Sequence, residues 1–87
     1  MLSDETFAEI TRLTEKALQE LPLPAASDRV TVVRGYVQLL RDHPERQDYK
    51  THLVDALLDL AEVASRHSRH GLASDLESLA GRIERES

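Results

Sequence analysis

Among the side chains able to carry chemistry, His67 and His70 come first, three residues apart in Arg66-His67-Ser68-Arg69-His70-Gly71. On one helix that spacing places both imidazoles on one face, and Asp75 or Glu77 folding back could add carboxylate ligands for a divalent metal. A metal site normally takes three or four protein ligands, and the chain has neither a His-Glu-x-x-His motif nor a cysteine. The pair therefore reads as basic side chains facing the negative end of a helix, with no metal or cofactor implied. Asp55, Asp59 and Glu62 recur at helical spacing and could act as an acid–base pair or a cation site. On the one wet face of an apolar helix, such a row instead keeps the helix solvated and in register. No Gly-x-Ser-x-Gly elbow surrounds any serine, and Gly35, Gly71 and Gly81 lie too far apart for a phosphate loop. His43 and His52 are isolated, His43 at a helix end and His52 on the wet seam. No catalytic set emerges, and the chain reads as something other than an enzyme.

The helix that positions these carboxylates organises the rest. From Leu53 to Ala64, the residues Leu53, Val54, Ala56, Leu57, Leu58, Leu60, Ala61, Val63 and Ala64 cover an arc of about 220°, against about 100° for an ordinary surface helix. Thr51, His52, Asp55, Asp59 and Glu62 fill the remainder. The sequence predicts this helix over 45–70, started by Pro44 and ended by Gly71 at a left-handed position. A first helix over 4–21 is capped by Ser3, with Leu2 stapled to Phe7, and Pro22-Leu23-Pro24 stops it. A second runs over 27–42. Its Val30-Thr31-Val32-Val33 run favours a strand taken alone, but no partner strand exists and Val33, Tyr36, Val37 and Leu40 continue at helical spacing. Gly35 inside it costs about 1 kcal/mol relative to Ala and could mark a close backbone approach. A fourth, over 72–85, carries Leu72, Leu76, Leu79, Ala80 and Ile83 on one face. The fold class is all-α: one domain over 1–87, an antiparallel bundle of four helices with the third innermost.

Composition narrows the function. The chain of 87 residues is 40% hydrophobic but only 3% aromatic, so an aliphatic core must hold it. So small a core gains from association, and a homodimer or an obligate partner is expected. The formal charge of −5 disfavours phosphate backbones and anionic lipid. No apolar run reaches the ~20 residues of a membrane span, and Met1-Leu2-Ser3-Asp4-Glu5 is unlike a signal peptide. A cytoplasmic location follows as the expectation, and the wealth of Arg, Ala and Leu suggests a bacterial or phage source.

Two short stretches resemble phosphotransfer proteins. Val30 to Leu40 (VTVVRGYVQLL) resembles the second half of the first helix in histidine-kinase dimerisation domains, which implies dimeric four-helix packing. The family's phosphoacceptor His would fall in Pro24-Ala25-Ala26-Ser27-Asp28-Arg29, where none stands. His67-Ser68-Arg69-His70-Gly71 is similar to the His-x-x-Lys-Gly box of histidine phosphotransfer domains. It would make His67 the acceptor, with His70 in the Lys position and only sixteen residues following Gly71. A third reading groups Arg29, Arg34 and Arg41 with Arg66, His67, Arg69 and His70 as a weak nucleic-acid-binding patch, interleaved with Asp28, Asp42, Glu45 and Asp48.

The reading that best fits all these features is a non-enzymatic, acidic helical module that binds another protein as an adaptor, inhibitor, immunity-type antagonist or regulatory dimer. Val32, Tyr36 and Leu39, which share a side of the second helix about 60° wide, are the candidate contact residues.

Overall fold

A computed structural model describes residues 1–86. It contains α1 (Asp4–Glu20), α2 (Leu23–Asp42), α3 (Gln47–Arg66) and α4 (His70–Arg85), with no strand among the described residues. Neighbouring helices run antiparallel. The start of α1 meets the ends of α2 and α4, where Arg41 lies over the Phe7 ring and Glu86 binds Ser3. Across α2 and α3, Tyr36 faces His52 and Arg29 faces Asp59. Across α3 and α4, Lys50 reaches the carbonyl of Glu84. The contact between α3 and α4 is the most extensive and that between α2 and α3 the next, while α1 touches α2 and α4. The bundle measures 35 × 21 × 19 Å. None of its helices is long and apolar enough to cross a membrane.

The apolar stripes read from the sequence are the stripes that pack. Phe7, Ile10, Leu13, Ala17 and Leu21 are buried from the α1 side, and Leu72, Leu76, Leu79, Ala80 and Ile83 from α4. On α3 the buried set from Val63 round to Val54 spans about 180° of the helix. Leu58 lies at the edge of the apolar arc, 42% exposed, on the α4 side. The seam of Thr51, His52, Asp55, Asp59 and Glu62 faces solvent. Leu13, Leu53, Leu57, Leu60, Leu72 and Leu76 are fully enclosed, and burial of each stabilises by roughly 1.5–3 kcal/mol. Thr6 and Thr14 are also buried; Thr14 satisfies its hydroxyl by donating to the Ile10 carbonyl at 2.9 Å.

Four boundaries differ from the sequence reading by two residues or more. Helix α2 begins at Leu23 rather than residue 27, because Pro22 serves as its N-cap and Pro24 sits in the first turn, where the missing N–H costs nothing. Helix α3 begins at Gln47 rather than 45, leaving Pro44 in the turn. It ends at Arg66 rather than 70, so α4 starts two residues early, at His70. The chain reverses at Ser68, whose φ of 61° supplies the left-handed position expected of Gly71. Ser68 N–H donates to the Ser65 carbonyl at 3.0 Å and Arg69 N–H to the Ala64 carbonyl at 2.8 Å, the paired bonds of a Schellman ending.

One pole of the bundle is clasped by polar contacts. Ser3 caps α1 as expected, accepting from Thr6 N–H at 3.1 Å. Glu86, just beyond α4, accepts from Ser3 N–H at 3.0 Å and from the Thr6 hydroxyl. It thus places a carboxylate at the positive end of α1, with Arg82 3.4 Å away. The Thr6 hydroxyl, followed by the Ser3 N–H, holds Glu86 below its ordinary value of 4.5. Lys50 donates to the terminal carbonyls of α4, at Glu84 (3.4 Å) and Glu86, and so supplies cationic charge to its negative end.

Two expectations follow. Leu57→Ala should cost about 2–5 kcal/mol in urea unfolding, whereas Leu58→Ala on the same helix should stay within about 0.5 kcal/mol. Because Glu86 is depressed in the folded state, its contribution is full above 4.5 and is lost as pH falls through the lower folded value. Acid titration of stability should therefore decline less steeply in Glu86→Gln than in the parent.

Candidate functional site

The side of the bundle shared by α2 and α3 gathers the side chains best suited to binding. Val32 points outward, 48% exposed, beside a shallow cavity of about 270 Å³ whose walls include Ala56 and the Arg29–Asp59 pair. One turn on, Tyr36 is half-buried against the core and stacks on His52, ring centres 5.3 Å apart. Leu39 is half-buried on the same side. Towards the α2–α3 turn, Tyr49 packs on the core between His43, 6.2 Å away, and the Arg46 guanidinium, 4.2 Å above its ring. Val32, Tyr36 and Leu39 lie on one side of α2 in helical projection; Tyr36 meets His52 there, and Tyr49, His43 and Arg46 cluster nearer the α2–α3 turn.

The arginines on this side are held in place. Arg46 grips Asp48 through two bonds of 2.8 and 2.6 Å, and this bidentate contact lowers Asp48 to about 2 while raising Arg46. Arg29 donates from Nη1 to the Ala25 carbonyl at 3.1 Å. Its Nε lies 3.2 Å from Asp59 but is not aligned for a hydrogen bond, so the two groups meet as charges. Because Asp59 is more than half exposed, that attraction is screened and adds little to stability. The two cross-helix pairs, Tyr36–His52 and Arg29–Asp59, straddle Pro44 symmetrically, as antiparallel register requires. That symmetry is the signal by which His52 could have been joined to Tyr36 from the sequence. A helix starting at 45 does not place Tyr49 and Arg46, since Arg46 is the N-cap of α3.

The remaining candidates are dispersed. His67 caps the end of α3 and His70 opens α4, so the Ser68 reversal separates two imidazoles expected on one helix face. Both are exposed, as are Asp75 and Glu77. Among the described residues no three His, Asp or Glu side chains converge on a metal-sized point. Glu62 pairs with Arg66. The basic residues likewise diverge: Arg29 turns to α3, Arg41 to Phe7 of α1, and Arg69 to the Glu20 carbonyl at 3.4 Å.

No protein family, no curated protein and no solved structure matches this chain.

Gly35 sits on the outward side of α2, next to Val32 and Leu39 in helical projection. A Cβ added there meets nothing within 4 Å, so no backbone of this chain needs the gap. Gly35→Ala should therefore raise stability by up to about 1 kcal/mol, read from the urea midpoint at unchanged slope.

Proposed function

We propose that this chain works by binding, as a small acidic helical module whose α2–α3 face meets another protein. The observation that carries this reading is the make-up of that face. Along the α2–α3 hairpin it carries both tyrosines of the chain, two of its four histidines and two arginines, with Val32 and Leu39 on the same side of α2. Tyr and Arg concentrate affinity at protein interfaces because each offers a large contact area with a polar tip. Tyr36 stacked on His52, and Tyr49 held between His43 and Arg46, lose little further freedom when a partner covers them. A formal charge of −5 favours a partner with a basic surface.

An adaptor, an inhibitor, an immunity-type antagonist and a regulatory dimer would all use such a face. Pairing with a second copy has the additional merit of enlarging the core available to a chain of 87 residues. The test combines sedimentation velocity at about 10 μM with affinity capture from the source cells, since interfaces of moderate size hold at micromolar affinity. The parent chain should sediment as a dimer or retain a distinct protein. The double variant Val32→Asp, Leu39→Asp should lose both properties with its helical circular dichroism intact. Parent and double variant both sedimenting as monomers and capturing the same proteins would refute the reading.

A further inference from the structure

The clasped pole of the bundle, away from the Val32 cavity, holds a second feature. Where α1 and α3 begin and α2 and α4 end, a cavity of about 230 Å³ opens between the helices. Buried Leu2, Phe7 and Leu40, with exposed Met1 and Pro44, supply its apolar surface, and Asp4, Arg41 and Gln47 stand among its walls. The other charged residues lining it are engaged: Lys50 by the α4 carbonyls, Glu86 by Ser3, Thr6 and Arg82, and Met1, which carries the terminal ammonium, also has a partner. Asp4 has no ion pair or side-chain hydrogen bond among the described residues, and neither does the Gln47 amide. The Arg41 guanidinium lies over the face of the Phe7 ring and has no hydrogen bond or ion pair among the described residues, which leaves its planar donors open. One uncommitted cation, one uncommitted anion and one amide therefore border the same apolar recess.

We propose that this cavity binds a free α-amino acid with an apolar side chain. The charges set the chemistry. A bare apolar carboxylate would satisfy Arg41 but face the repulsion of Asp4, and a bare amine would do the reverse. A zwitterion serves both, its carboxylate on the bidentate guanidinium and its ammonium on Asp4. The volume sets the size. An apolar cavity of roughly 150 Å³ admits benzene, and sites for drug-sized ligands start near 300 Å³, so this recess suits a side chain of leucine or phenylalanine size. This inference is independent of the α2–α3 face and extends beyond partner binding.

The test is a titration of the ¹⁵N-labelled chain with L-leucine and L-phenylalanine, followed by amide chemical shifts. Leucinamide, which lacks the carboxylate, and 4-methylpentanoate, which lacks the ammonium, serve as matched probes. At least one of the two amino acids should shift Phe7, Leu40 and Arg41 saturably, with a dissociation constant on the order of 1 mM. Both matched probes, and both variants Arg41→Gln and Asp4→Asn, should bind about tenfold more weakly than leucine and the parent chain. Arg41 and Asp4 are exposed, so the variants should keep the parent spectrum away from the cavity, which checks their folding directly. The proposal is overturned by the absence of saturable shifts up to about 10 mM, by a matched probe that binds as tightly as leucine, or by either folded variant retaining full affinity.

Discussion

The fold depends on one dry seam. Along it Leu53, Leu57, Leu60 and Ala64 of α3 lie enclosed with Leu72, Leu76 and Ile83 of α4. The pair forms the broadest contact in the bundle, and its side chains are all aliphatic. Dispersion and removal of apolar area from water are non-directional, so a seam of this kind fixes proximity more strongly than it fixes register. Register comes from the polar contacts at the rim. The Schellman ending at Ser68 sets how α4 leaves α3, and Lys50 ties the far end of α4 back to the first turns of α3. With these two helices placed, α1 and α2 lay their narrower stripes on the flanks of the pair.

How much of this is legible in the sequence depends on which force decides each feature. The buried faces are legible because helical periodicity is repeated over several turns, and a single exception such as Leu58 does not hide it. The Val30–Val33 run shows the same logic, as local strand preference yields where the longer pattern and the lack of a partner strand oppose it. Helix ends are less legible because one residue's conformation decides them. Pro24 reads as a stop and proves to be a first-turn residue; Gly71 reads as the left-handed terminator, yet Ser68 takes that conformation. A glycine is preferred there only by about 1 kcal/mol, an amount that the surrounding hydrogen bonds can override.

The candidate face was half-legible for a related reason. Val32, Tyr36 and Leu39 belong to one helix, so projection alone groups them. Their companions His52 and Tyr49 come from another, and finding them requires the register of the α2–α3 hairpin. The same limit applies at the clasped pole, where Asp4 and Arg41 stand 37 positions apart and no pattern of spacing joins them. The His67–His70 pair errs the other way: adjacency in the chain suggested shared geometry that a single reversal at Ser68 removes.

The bond between Ser3 and Glu86 has a topological consequence. It brings the first and last turns of the chain side by side at one pole, while the α1–α2 and α3–α4 connections lie at the opposite pole. A short peptide bridge between those two turns would make a ring, and the ring could be reopened at the exposed His43–Arg46 connection without cutting a helix. Such a circular permutant would keep the same four-helix packing while separating α2 from α3 in sequence. The α2–α3 face would then have to assemble from opposite ends of the polypeptide.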